Sequence, residues 1–438
     1  MSLFTTLTTG ASGMGTQSAA LSVIGDNIAN LNTVGFKGSR ASFADYLPQN
    51  TAGMSGPATI GSGAGLNAVA TQFGQGSMSA TSSATDMAIS GAGFFMVMDG
   101  DQAYYTRAGE FYRDADGRLV NAAGYCLQGY NAENGDLSHS LGDLVISAEP
   151  APPSATSTVE FSAVLSNSDT TTYTGMTTLT LDGSASGATW EDLPDDVWTT
   201  SVTVYDSQGA SHEMTLAFEH TADGTWSWWA LVDGEDVGET AGNPVELASG
   251  ECTFDEDGVL TGFTGTSTAS SGYTWADGAA VEDIDFQFGV DSLGESTGGS
   301  LRLTPEEDSA VSTISQDGYP MGDLSGVSVD VDGTITGTYT NGEDIVLGQV
   351  ALATFASVNG LERVGGAMFR ATAASGDPAL GAPGSGGRGD LYSYALEASN
   401  VELEDEFVAM ITAQRGYQAS ARVISAADQT LQELVNLI

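Results

Sequence analysis

The sequence predicts a mixed α and β protein with a stripe-bearing helix at each end and mostly antiparallel β-structure between them. Three observations carry this reading. Apolar residues recur at alternating steps of four and three over the last forty residues and again over the first thirty, the signature of a helix with a seam. The interior alternates apolar and polar residues around Asp-Gly and related turns, with no βαβ rhythm. A proline-rich stretch at 148–158 divides that interior, because proline at this density cannot sit in central strands.

The first element is a helix over residues 1–32. Its stripe runs Leu3, Leu7, Gly10, Met14, Gln17, Leu21, Ile24, Ile28 and Leu31. Gly10, Gly13, Gly15 and Gly25 interrupt it, each costing about 1 kcal/mol relative to alanine in an isolated helix. Alone this segment should be mostly unfolded, and it becomes helical only where a neighbour covers the stripe. Asn30-Leu-Asn32-Thr-Val-Gly35 supplies the stop. Residues 48–67, rich in Gly, Ser, Pro and Thr, read as a linker or extended arm.

Strands follow from Gln72 to about Pro150, with turns at Asp99-Gly100 and Asp116-Gly117. Residues 159–317 form a second β region, a sandwich or barrel. Val202 and Val204 lead through the turn Asp206-Ser-Gln-Gly209 to Met214, Leu216 and Phe218, and Trp226, Trp228, Ala230 and Val232 extend the meander. Another strand series starts at Val327 and ends in a Gly/Pro loop over 376–389. The closing helix then opens on Ser399-Asn-Val-Glu402, which has capping-box spacing, and Glu404, Asp405 and Glu406 oppose the helix dipole in the first turn. Its seam is Leu403, Phe407, Met410, Gln414, Tyr417, Ala421, Ile424, Asp428, Leu431, Val435 and Ile438, broken only by Gln414 and Asp428, where polar contacts would fix register. Two terminal stripes with little nearby sequence to cover them call for each other or for copies of themselves.

Charge narrows the function. Against 57 acidic residues stand 11 basic ones, a net of −46, and Lys37 is the only lysine. Residues 151–317 alone carry 30 acidic side chains and one arginine, a net of −29, and read as a solvated exterior. Such a polyanion is repelled by nucleic acid and by anionic membranes. No apolar run is long enough to span a bilayer, and the N-terminus lacks the basic and apolar regions of a cleaved signal peptide. Cys126 and Cys252, far apart, read as ordinary thiols rather than a disulfide framework.

No constellation points to catalysis, a cofactor or a metal. His139, His212 and His220 have no metal-ligand spacing, and His212 and His220 read as surface residues flanking a hairpin. Three Asp-x-Asp-Gly steps, at Asp114, Asp255 and Asp330, lack the glutamate an EF-hand needs, since Ala123, Thr264 and Tyr339 stand in its place; they read as hairpin turns. Gly384-Ser-Gly-Gly-Arg-Gly389 matches a dinucleotide fingerprint without the flanking strand and helix. The tryptophans at 226–229 read as core.

Specific words then add a resemblance. Asp26-Asn27-Ile-Ala-Asn30-Leu-Asn32-Thr-Val-Gly35-Phe36-Lys37 resembles the N-terminal signature of the bacterial flagellar rod and hook family. Thr85–Val97, Tyr105–Phe111 and Asp116–Val120 are similar to its first body domain, and Ser399–Leu403, Ala413-Gln414-Arg415-Gly416-Tyr417 and Asp428–Leu431 to its closing helix. Some 165 residues inserted between the body segments, with Gln316–Gly322, Leu324–Val327, Gly348–Leu352 and Val202–Gly209, resemble the hook branch rather than the rod branch.

The resemblance implies paired, coiled-coil-like N- and C-terminal helices forming an inner domain, plus two mostly antiparallel β domains, the outer one inserted in the other. It implies boundaries at 1–45 with 395–438 for the helices, 46–71 for a connector, 72–150 with 318–394 for the body and 151–317 for the outer domain. It also implies a curved, flexible helical homopolymer outside the cell that passes torque from motor to filament. Rod, hook-cap and hook–filament junction proteins and the flagellar export apparatus would be its partners. A distal rod subunit, and a secreted acidic adhesin or calcium-binding surface protein, are the alternatives.

Overall fold

The computed structural model describes residues 3–47, 49–53, 56–133, 135–147, 149–166, 190, 197–266, 268, 272–289, 297–304 and 308–436. Two compact units emerge. One comprises Met1–Ala148, Ser325–Thr338 and Asp344–Ile438, and the other Glu149–Leu324 with Tyr339–Glu343.

In the first unit, helix α1 (Leu3–Ala29) packs along helix α2 (Leu403–Asn436). Where the sequence suggested a linker or extended arm, the chain forms hairpins. Ser39–Asp45 pairs antiparallel with Ala64–Thr71, and Gln49–Gly53 with Gly56–Ile60. Pairing gives this glycine-rich backbone its hydrogen bonds without a core of its own, and Phe43, Leu66 and Val69 stay exposed. The body is a 13-stranded sheet whose main path runs Leu324–Val329, Thr334–Tyr339, Asp344–Val350, Cys126–Glu133, Phe94–Asp99, Gln102–Thr106, Met368–Arg370 and Glu362–Gly365. Phe94, Tyr105 and Phe369 anchor one cluster beneath it, with Phe73 and Phe94 edge to face at 5.7 Å. Two short ladders lead back toward α2: Asp390–Ser393 on Met87–Ser90, and Ala395–Glu397 on Met78–Ala80.

The second unit stacks two sheets over an aromatic core. One is an antiparallel meander of Trp198–Tyr205, Ser211–Ala222, Thr225–Asp233, Pro244–Phe254 and Leu260–Gly265. In the other, Thr158–Ser166 pairs parallel with Asp285–Gln287 and Ser300–Thr304 and antiparallel with Ala310–Gln316. The parallel pairs break the antiparallel pattern the sequence suggested. A parallel pair needs a long connection, and here the entire meander lies between its strands in sequence. Phe161, Phe218, Trp228 and Phe288 fill the core, so the tryptophans are packing residues.

The Asp-x-Asp-Gly steps are turns. Asp114 Oδ1 accepts from the backbone N–H of Asp116 (2.9 Å) and Arg118 (2.8 Å), Asp255 Oδ1 does the same for Asp257 and Val259, and Gly117, Gly258 and Gly333 take positive φ. His212, in contrast, is not a surface residue: it is 7% exposed, its ring stacked 3.8 Å from that of Trp275. A strand alternation cannot reveal this, because the covering residue arrives from sixty positions downstream.

Two carboxylates tie the second unit together and make it sensitive to acid. Asp317 accepts from Ser157 N (2.8 Å), Thr158 N (2.9 Å) and the Ser157 hydroxyl (2.6 Å), joining the two ends of the insertion. Asp233 accepts from Glu235 N, Gly242 N and the Trp190 indole. Burial alone would raise both carboxyls, but these bonds hold them below the ordinary value. Their contribution is therefore present above the unfolded carboxylate value of about 3.9 and fades as pH falls through the lower folded ones. In thermal scans between pH 5 and 2, Asp317→Asn should flatten the acid-induced loss of this unit's stability; an unchanged pH profile would contradict the assignment.

Candidate assembly surface and buried charge junction

The two helices approach closely because small residues meet. A Cβ built on Gly10 would lie 2.9 Å from Ile424 Cγ1, one on Gly13 2.8 Å from Ser420 Oγ, and one on Gly416 2.8 Å from Gln17 Cδ. Glycines that weaken α1 as an isolated helix thus allow its contact with α2. Gly15 and Gly25 meet nothing within 4 Å.

On α1 the predicted stripe faces its partner or the hairpins. Ile24 is buried, and Leu7, Met14, Leu21 and Ile28 are half-buried, as is Leu31 just beyond the helix. On α2 the covered face takes in part of the predicted seam, including Ala421, and leaves the rest out. Ala413 and Ala427 are buried and Ala409, Met410, Gly416, Ser420, Ile424 and Leu431 half-buried, whereas Leu403, Phe407 and Tyr417 are 40%, 47% and 42% exposed. A count of apolar positions favours large residues, but a close helix contact selects small ones. Gln414 is exposed, and Asp428, also exposed, accepts from Gln432 Nε2 at 3.1 Å. Leu3 and Val435 stand in the terminal turns with side chains outside the described set, and Ile438 lies outside the described residues.

The large apolar residues left over gather on the first half of α2. Leu403, Phe407 and Ile411 follow one another at i, i+4 and i+8, with Val408 beside them at 66% exposure. Such a patch on a helix is the usual mark of a protein interaction surface.

The strand that precedes α2 is bound to the segment that follows α1 by a buried polar junction. Glu397 is 0% exposed. Its Oε1 accepts from Lys37 Nζ at 2.5 Å and from Gly76 N at 2.8 Å, and its Oε2 accepts from Arg107 Nη1 at 3.2 Å. Lys37 Nζ also donates to Gly74 O, and Arg107 Nη2 to Gly91 O at 2.6 Å. Two cations thus share one carboxylate. Burial pulls the Lys37 ammonium below its ordinary value, the Glu397 contacts oppose this, and Arg107 adds to the depression. Burial likewise lowers the Arg107 guanidinium against the pull of Glu397.

The motif residues build this junction. Gly35, at φ 65°, donates to Glu397 O at 2.7 Å, and a Cβ there would lie 2.3 Å from Ala108 N. Phe36 is buried under the Arg363 guanidinium, 4.4 Å from its ring centre, and Arg363 pairs with Asp26. Asn27, buried, accepts from Ser39 N and donates to Ser39 O and Glu406 Oε1. Asn400 accepts from Gly38 N and donates to Gln72 O and Gly74 O. Asn30 folds back onto Asp26, while Asn32, Gln414 and Arg415 are exposed. The roles of Glu397 and Arg107 were not legible from the sequence; the available signal was a lone lysine in a strongly acidic chain.

Comparisons with known proteins follow the same layout. Residues 7–37 match the family model described as flagella basal body rod protein, 88–162 the flagellar hook protein FlgE/F/G D1 domain, 180–319 the flagellar basal body protein FlaE D2 domain, and 392–437 the flagellar basal body rod FlgEFG protein C-terminal. The chain is 35% identical over 429 residues to flagellar hook protein FlgE of Salmonella typhimurium, covering 97% of this chain and 98% of that one. It is 32% identical over 458 residues to FlgE of Borreliella burgdorferi (98% and 99%) and 33% identical over 431 residues to FlgE of Escherichia coli (97% and 98%). Its fold resembles the crystal structure of Helicobacter pylori flagellar hook protein FlgE2, with a TM-score of 0.51 at 15% identity over 73% of this chain and all of the other.

Proposed function

The chain belongs to the flagellar hook protein family, and we propose that copies of it polymerise through the uncovered apolar side of α2 together with the seam residues of both helices. It is a structural subunit of the flagellar hook; full-length similarity to hook proteins does not favour a rod subunit or an acidic adhesin. The observation that carries the polymerisation reading is the exposed row Leu403, Phe407, Val408 and Ile411.

Head-to-tail contacts that do not close generate a helical tube. In it the helical segments 1–45 and 395–438 form the inner layer, 46–71 a connector, 72–150 with 318–394 the body and 151–317 the outer domain. The tube is curved and flexible and carries torque between motor and filament outside the cell. Rod, cap and hook–filament junction proteins are its neighbours, and the export apparatus delivers the chain without signal cleavage. The segmentation supports this reading, since α1 carries a glycine-interrupted stripe that needs a partner. Purified full-length protein should form short curved tubes in negative stain, and protein lacking residues 403–438 should not. Tubes from the truncated chain would overturn the assignment.

A further inference from the structure

We propose that Asp206, His212 and Asp277 in the second unit form a binding site for one divalent transition-metal ion of the zinc class. One carboxylate oxygen from each aspartate and one imidazole nitrogen lie within 4.8 Å of one another. His212 Nε2 is 3.3 Å from Asp206 Oδ2. That separation is also about the edge of a tetrahedron whose metal–ligand bonds are roughly 2.0–2.1 Å long.

Both carboxylates are held for the task. Asp206 commits Oδ1 to the backbone N–H of Gln208 (2.8 Å) and Ala210 (2.9 Å), leaving Oδ2 turned to the imidazole. Asp277 commits Oδ1 to Ala279 N at 2.9 Å. The His212 ring is fixed by its stack on Trp275, the residue two before Asp277. Asp206 and His212 are 1% and 7% exposed, while Asp277 is exposed and gives an ion its entry.

The rest of the imidazole also fits a ligand. His212 Nδ1 is buried without a hydrogen-bond partner, and its nearest acidic atom is Asp236 Oδ1 at 3.8 Å. If Nε2 binds the ion, Nδ1 must carry the proton and face an acceptor, and a carboxylate behind a ligating histidine is the usual arrangement. Two aspartates and a neutral imidazole supply charge −2, matching a divalent cation. An imidazole ligand favours zinc, nickel or copper over calcium or magnesium, which take oxygen sets. The three protein donors leave a fourth position to water.

The test is zinc titration of the full-length protein, followed by calorimetry in excess magnesium so that diffuse binding by the acidic surface is suppressed. One saturable zinc per chain is expected, with affinity reduced at least tenfold by Asp277→Asn and by His212→Gln. The first variant changes an exposed residue whose amide oxygen can still accept from Ala279 N, so the metal-free protein should stay folded, as circular dichroism would verify. Cobalt substitution should give a visible spectrum that disappears in His212→Gln. Absence of a saturable one-to-one phase, or equal affinity in Asp277→Asn, overturns the proposal.

Discussion

Glu397→Ala should be among the most damaging single substitutions in the first unit, with a loss of about 3–5 kcal/mol. The reason is stranding rather than lost attraction. Lys37 and Arg107, 2% and 5% exposed, would remain in the interior without their shared anion, and Gly76 N would lose its acceptor. Lys37→Met should cost less, because Arg107 and Glu397 are left as a neutral pair. In the double variant Lys37→Met/Glu397→Ala, the loss should fall short of the sum of the singles by more than about 1 kcal/mol, as for residues in one network. Urea unfolding of wild type, the two single variants and the double variant decides this. Equal midpoints for wild type and Glu397→Ala would show that the junction carries no stability.

The same junction has a distinctive response to base. Lys37 has a folded value depressed below 10.5, so between the folded and unfolded values the unfolded chain binds more protons. Stability contributed through Lys37 therefore rises with pH across that window, and below it the full cost of burying the ammonium is present. Lys37→Met should remove this rise.

The helix at each terminus, the turn chemistry and the tryptophan core were legible because each depends on local periodicity or on one dipeptide. Glu404, Asp405 and Glu406 do fill the first turn of α2, but the capping box does not form: Ser399 Oγ accepts from Val401 N at 3.3 Å, and the helix starts at Leu403 rather than directly after Ser399. What lay beyond reading were the contacts set by distant partners. Trp275 buries His212, Glu397 meets Lys37 from 360 positions away, and the hairpins at 39–71 form on backbone pairing without a core. The α2 seam shows the limit most clearly. Apolar spacing located a stripe, but backbone proximity at Gly10, Gly13 and Gly416 decided which face α1 covers, and it chose the alanines.

That choice leaves a consequence for assembly. Ile411→Glu and Phe407→Glu should abolish tubes at concentrations where wild type polymerises, yet leave the monomer folded, at a cost of about 1 kcal/mol for the half of each side chain it already covers. Glu is a good helix former, and Ile411 and Phe407 are already 50% and 47% exposed, so the monomer loses only part of their packing and keeps its helices. In a polymer the same positions would be covered. Fully burying such a side chain contributes about 1.5–3 kcal/mol, so the exposed half accounts for roughly 1 kcal/mol or more. Burying a carboxylate there adds a penalty of its own. Since about 1.4 kcal/mol is tenfold in an association constant, each substitution should raise the critical concentration by at least tenfold. The comparison must be made at one ionic strength, because a subunit of net charge −46 repels its neighbours more strongly as salt is removed. Circular dichroism would verify the helices and sedimentation the polymer. If Ile411→Glu sediments as wild type does, the uncovered side of α2 faces solvent in the tube, and the contact between copies lies on another face.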